Sequence, residues 1–174
     1  LGSKTNTFMI ACLDVFYRSA QASCACVLFS AWTDSLPAQE FVRVVSPIEP
    51  YEPGHFYRRE LPCLLAILGD LSQLPTVIVI DAYVWLDSHA APGLGARLYE
   101  ALNQKIPVIG VAKSRFLGAP AIPITRGKSR SPLFVSAAGM ESTLAAHYIE
   151  KMHGAFRIPT LIQRTDQLSR AGSV

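Results

Sequence analysis

Thr76-Val77-Ile78-Val79-Ile80-Asp81 is an unbroken apolar, mostly β-branched run whose first charged residue stands at its end. That is the pattern of a strand buried on both faces. Val108-Ile109-Gly110-Val111-Ala112 repeats it and ends at Lys113. Between the two, Leu94 to Gln104 reads as a helix. Ahead of them Leu61, Leu64, Leu65, Leu68 and Leu71 recur at helical spacing, which predicts a helix from near Arg58 that ends before Pro75. Further out, Phe8 to Val15 and Ser23 to Trp32 are apolar and β-prone around a polar break at Arg18 to Gln21, an antiparallel hairpin, and Glu40 to Val45 supplies a third strand. Three prolines and a glycine make Ser46 to Gly54 a rigid loop. Towards the other end, Pro120 to Pro123 and Pro132 to Ser136 flank the basic turn Gly127-Lys128-Ser129-Arg130 as a further hairpin. A helix over Glu141 to Met152 and a final irregular or helical segment complete the order. The expectation is an α/β fold: a mixed central sheet, three antiparallel strands followed by βαβ units, with helices on both faces.

The 174 residues, 50% hydrophobic and 17% charged, suit one folded domain over residues 8–174, with residues 1–7 as a frayed end or cloning scar. No apolar run approaches the roughly 18 residues of a membrane span. The polar start Leu1 to Thr7 lacks the features of a secretory signal, so a cytoplasmic location is expected. Cys12, Cys24, Cys26 and Cys63 lie in apolar segments without metal-site spacing, as reduced core thiols. Net charge is only +3, yet no acid occurs between Lys105 and Arg130. A basic C-terminal part suits a polyanion, because each cation that neutralises a phosphate releases condensed counterions.

Three acids stand in unusual company. Asp14 lies between Leu13 and Val15, Asp81 ends the most hydrophobic strand, and Glu60 sits at the start of the first helix. Each alone has a structural explanation: a strand end, a helix-dipole acid, a partner for a buried arginine. Together they say more. In a sheet of this order the first strand and the strand after the first helix are neighbours, which brings Asp14 and Asp81 side by side with Glu60 in reach. Converging carboxylates repel unless a hard cation such as Mg²⁺ neutralises them, the outline of a metal-assisted phosphoryl-transfer site.

At these residues the chain resembles endonuclease V, the deoxyinosine 3′ endonucleases of ribonuclease H-like fold. The resemblance covers about Met9 to Ala171. Pro50-Tyr51-Glu52-Pro53-Gly54 with Arg59-Glu60 and Pro62 is similar to the family's PYIPG…FRE…P segment, and Ile109 to Lys113 to its IGVAK strand end. Leu13-Asp14-Val15 with Tyr17, Pro132 to Ser136, and Arg157-Ile158-Pro159 resemble three further motifs. The resemblance implies Asp14, Glu60 and Asp81 as ligands of Mg²⁺, with Mn²⁺ able to substitute, and Lys113 beside the scissile phosphate. It implies a strand-opening wedge at Pro50, Tyr51, Glu52 and Pro53, with Gly54 and Gly110 against a flipped base. Arg115, Lys128 and Arg130 would take phosphates, and Tyr51, Phe56 and Tyr57 the unstacked strand. The implied partner is DNA, or RNA, in a repair reaction that nicks 3′ of inosine, with neither a membrane nor an obligate protein partner.

The chain also departs from the family. Where the family reads DGxGxxHPRxxG, Asp81 is followed by Ala82, the HPR triplet is absent, and His89 is the one histidine of the loop. Where the family has a GHR histidine, the chain has Gly139-Met140-Glu141, so Glu141 becomes a candidate fourth carboxylate, or else a helix-dipole acid. Glu52 brings a negative charge into the wedge. These departures leave three alternatives: an inosine-directed nuclease, a nuclease on structured DNA or RNA without inosine selectivity, and a nucleic-acid-binding module with weak or no cleavage.

Overall fold

The computed structural model describes residues 7–172, so most of the expected frayed N-terminus lies outside the described residues. Seven strands, β1 (Ile10–Arg18), β2 (Gln21–Phe29), β3 (Gln39–Val45), β4 (Val77–Ile80), β5 (Val108–Ala112), β6 (Ile122–Ile124) and β7 (Leu133–Ala138), form one sheet in the order β3-β2-β1-β4-β5-β7-β6. β1, β2 and β3 are antiparallel neighbours, β4 joins β1 in parallel, β5 joins β4 in parallel, and β7 and β6 return antiparallel. Helices α1 (Phe56–Gly69) and α2 (Leu94–Ala101) cover one face, and α3 (Ser142–Lys151) and α4 (Thr160–Ala171) the other.

Strand alternation divides the core in two. Ile10 and Cys12 of β1, Val77 and Val79 of β4, and Ile109 and Val111 of β5 point to α3 and α4. Ala11, Leu13, Ile78, Ile80 and Val108 point to α1 and α2. This two-sided burial is why the central strands read as continuous apolar runs rather than alternating ones.

The expected mixed sheet is present, with shifted ends. The first hairpin pairs through Phe16 and Tyr17 to a tight turn at Ser19, whose φ is +53°. β2 stops at Phe29, short of Trp32, because the Asp34 carboxylate accepts hydrogen bonds from the backbone N–H groups of Ser30 and Ala31 and folds the chain over. α2 ends at Ala101, where Asn103 and Gln104 turn left-handed. The segment after Pro159, left open between irregular and helical, is α4. All four cysteines are buried free thiols. No helix among the described residues is long and apolar enough to cross a membrane.

Gly110 is a packing glycine. A Cβ there would lie 2.3 Å from the carbonyl oxygen of Ala82 and 3.2 Å from the Ser136 hydroxyl. The chain after Asp81 therefore rests directly on β5 at Gly110, and the carbonyl of Ala82 takes the space a side chain there would need. Gly110→Ala is predicted to destabilise by about 1–3 kcal/mol through overpacking against backbone. Thermal melting should fall by roughly 3–10 °C.

Candidate active site

The sheet register fixes the site. β1 and β4 pair in parallel with Leu13 opposite Ile80, so the next residues, Asp14 and Asp81, emerge side by side. Alternation sends both toward α4. β5 runs parallel to β4, and Lys113 leaves its end one position beyond Ala112. The Lys113 ammonium donates a hydrogen bond to Asp81 Oδ2 at 2.8 Å. Glu60 reaches the same edge from the second turn of α1 and is buried.

α4 supplies residues that the sequence reading did not single out. Ser169 donates a hydrogen bond from Oγ to Asp14 Oδ2 at 2.8 Å. Asp166, one turn earlier, lines a cavity of about 150 Å³ together with Asp14, Asp81, Lys113 and Gln163. Their signal is weak in sequence, because α4 reads as an ordinary amphipathic end and its approach to β1 spans about 150 residues of chain. Arg157, noted only within a motif, donates to the carbonyls of Lys113 at 2.5 Å, Pro132 at 2.9 Å and Ser131 at 3.0 Å. It fixes the backbone from which Lys113 projects.

The electrostatics follow from crowding acids at a partly buried edge. Burial, then the charges of Asp14 and Asp81, push the Glu60 carboxyl up to about 8. Burial also lifts Asp14 to about 6; the Ser169 hydrogen bond opposes this, and the charges of Asp81 and Asp166 add to it. Partial burial pulls the Lys113 ammonium down, but its bond to Asp81 and the acids around it outweigh that and raise it. Glu60 Oε2 is buried with no hydrogen-bond partner among the described residues. A buried oxygen of this kind is costly unless a proton or a cation meets it.

The fit to a metal rests on this orphaned oxygen and on the donors, which are all carboxylates, the ligands hard divalent cations prefer. As the side chains stand, no three of the Asp, Glu, His and Cys residues among the described residues are close enough to share one ion. Asp81 is turned onto Lys113 and Asp14 onto Ser169, so assembling a shared site requires side-chain rotation.

Other expected contacts emerge at this same edge of the sheet. The Pro50 to Pro53 loop precedes α1 and is exposed, with Tyr51 60% accessible and Gly54 at φ +80° in open space. The charge of Glu52 is met by Arg58 of α1 at 3.2 Å and by His55 at 3.3 Å. Arg115 follows Lys113 and lies over the Phe134 ring, while Lys128 and Arg130 occupy the β6–β7 turn; all three are exposed. The Ala82 to Pro92 loop is closed on itself. Asp87 Oδ1 accepts from the N–H groups of His89 and Ala91, the Trp85 indole donates to the Ala137 carbonyl, and His89 is an exposed tip residue.

Glu141 is a correction. β7 is antiparallel to β5, with Ala138 opposite Val108, and α3 starts directly afterwards with Glu141 as its exposed cap. That places Glu141 at the opposite end of the sheet, about 16 Å of strand away from Lys113. The chain direction, invisible in a local motif, excludes it from the acid cluster. The additional acid beside Asp14 is Asp166.

A profile of the family described as Endonuclease V matches residues 2–149. The chain belongs to the endonuclease V family. The endonuclease V of Rhodospirillum centenum is 31% identical over 175 residues, covering 88% of this chain and 71% of that protein. That of Xylella fastidiosa is 35% identical over 64% of this chain and 45% of its own length. The chain thus spans less than three quarters of the first relative and about half of the second. The crystal structure of endonuclease V from Streptomyces avermitilis superposes with a TM-score of 0.77 at 28% identity, covering 95% of this chain and 81% of that one. The Ciona intestinalis enzyme, solved with a 23mer DNA containing an inosine followed by a ribo-adenosine, shares the fold at a TM-score of 0.78 and 19% identity, over 97% of this chain and 86% of that one.

The raised acids give a pH dependence. A carboxyl whose folded pKa lies above its unfolded value adds stability below the unfolded pKa, and that stability is lost as pH rises through the folded value. With Asp14 at about 6 and Glu60 at about 8, the metal-free protein is predicted to melt at progressively lower temperature from about pH 5 to pH 8. Glu60→Gln, which mimics the protonated form, should flatten this fall in melts recorded with EDTA. An unchanged slope would show that Glu60 is not the group responsible.

Proposed function

We propose that this chain is a metal-dependent endonuclease that nicks a nucleic-acid strand, DNA first of all, on the 3′ side of a deaminated base. One observation carries the reading. A buried glutamate with an unpartnered oxygen stands in the electrostatic field of two aspartates at adjacent strand ends, beside a lysine fixed on one of them. Asp14, Glu60 and Asp81 would hold Mg²⁺, or Mn²⁺ in its place, with Asp166 as a further carboxylate. When bound, such an ion lowers the pKa of water and neutralises charge on the phosphate.

The protein's own residues then have separate tasks. Lys113, its backbone clamped by Arg157, places a positive charge where charge develops on the phosphate. Water adds to phosphorus and the P–O3′ bond breaks, leaving a 3′-hydroxyl and a 5′-phosphate, one nucleotide beyond the inosine. Tyr51 in its proline loop occupies the gap left by the displaced base. Arg115, Lys128 and Arg130 hold the flanking phosphates. The family and the inosine-containing DNA held by the Ciona relative support this substrate class and a role in DNA repair.

A second reading draws on the loop after Asp81. Val84 fills the space beside both Gly95 and Gly110, where added Cβ atoms would lie 2.6 Å and 3.1 Å from its methyl. A loop packed in this way favours cleavage of structured DNA or RNA with relaxed base selectivity.

The test is cleavage of a labelled strand with one central inosine, with Mg²⁺ and with EDTA, alongside the unmodified strand in DNA and RNA form. Nicking is expected with Mg²⁺ alone, and Asp81→Ala should reduce it at least about 100-fold. Equal cleavage of modified and unmodified strands would select the second reading. Binding without cleavage under any of these conditions would leave a nucleic-acid-binding module.

A further inference from the structure

On the α1 and α2 side of the sheet, a groove of about 420 Å³ lies between α1, α2 and the Ala82 to Pro92 loop. Its walls are Tyr57 and Leu61 of α1, Trp85 and Pro92 of the loop, and Arg97 and Tyr99 of α2. Trp85 is immobilised, since its indole N–H is committed to the Ala137 carbonyl at 3.0 Å. The groove is therefore partly built from fixed aromatic surface of the kind on which unstacked bases lie.

Arg97 distinguishes it from an ordinary crevice. Its guanidinium lies flat on Tyr57, 3.6 Å from the ring centroid. Arg58 approaches the same ring at 6.0 Å but is matched by Glu52. Among the described residues no carboxylate pairs with Arg97, although Glu100 also lines the groove, and the Arg97 Nε is buried, so a ligand would meet only the outer guanidinium nitrogens. Its neighbour Glu100 accepts instead from Gln104. A stacked guanidinium with unused donors is preorganised for a phosphate. Tyr57 is also three residues beyond Gly54, the end of the exposed loop that carries Tyr51, so the groove continues that surface.

We propose that this groove is a second nucleotide subsite, in which Arg97 takes a phosphodiester of the strand leaving the Pro50 to Pro53 loop and the aromatic walls take its base. The inference rests on the nuclease reading and adds a contact made by residues outside the acid cluster. Removing one phosphate contact lowers the dependence of log affinity on log salt by about one unit.

The experiment is fluorescence-anisotropy titration of a labelled inosine-containing strand in EDTA at several salt concentrations, with wild type, Arg97→Ala, Arg97→Lys and the remote surface variant Lys151→Ala. Arg97→Ala should bind about tenfold more weakly at low salt, as expected for a charge-assisted hydrogen bond, with a shallower salt slope. Arg97→Lys should restore the slope but not all of the affinity, because it keeps the charge and loses the flat stack. Lys151→Ala should bind within twofold of wild type. Unchanged affinity and slope in Arg97→Ala, or an equal loss in Lys151→Ala, would overturn the subsite and leave the nuclease reading standing. Failure of the wild-type protein to bind any strand would overturn the subsite, while the nuclease reading is decided separately by the cleavage assay with Mg²⁺. Thermal melts of the variants separate lost contacts from lost fold.

Discussion

Parallel pairing of β1 with β4 is the constraint on which the rest depends. It sets Leu13 against Ile80 and so delivers Asp14 and Asp81 to one spot at the end of both strands. Like charges side by side work against folding, and burial raises the affinity of Asp14 for protons. The surroundings show how the cost is contained. Lys113 is held on Asp81, Ser169 donates to Asp14, and Glu60 is left with an oxygen that nothing among the described residues satisfies. Stability is given up at one edge of an otherwise apolar sheet, the usual sign of a site shaped by chemistry rather than packing.

Support for that edge comes from arginines that serve backbone rather than acids. Arg157 gathers the carbonyls of Lys113, Ser131 and Pro132. Buried Arg126 similarly gathers the carbonyls of Met152, Gly154, Phe156 and Arg157. Together they tie the end of β5, the basic β6–β7 turn and the approach to α4 into one unit. The rim of exposed cations at Arg115, Lys128 and Arg130 is thus carried on an anchored frame. The Ala82 to Pro92 loop is tied to it as well, since the Tyr83 hydroxyl donates to the Ser114 carbonyl and accepts from the Phe116 N–H. A shift of the loop after Asp81 would therefore be felt at Lys113.

Much of this was legible in the chain. Two-sided apolar runs marked β4 and β5, periodic leucines marked α1, and acids inside a strand, at a strand end and at a helix start marked three of the candidate carboxylates. These signals are local, because strand burial and helix periodicity are set by nearest neighbours in sequence. The expected pairing of Asp14 with Asp81 also held, since connection rules alone make β1 and β4 adjacent.

What the sequence could not decide was anything set by direction and by contacts across the whole chain. Glu141 sits in a motif-like position, yet β7 runs antiparallel to β5 and carries it to the far end of the sheet. Gly110 reads as a glycine for close backbone approach, and the Ala82 carbonyl takes the space a side chain there would need. Asp166 and Ser169 look like unremarkable helix residues until α4 packs on β1 and turns them toward Asp14. The sequence by itself determined the elements, the core and the residue types of the site, because these follow from local pattern and composition. Only the tertiary structure decided which acids share an edge, which glycines are filled and which arginine is left without an anion, because those depend on strand direction and on packing between segments far apart in the chain.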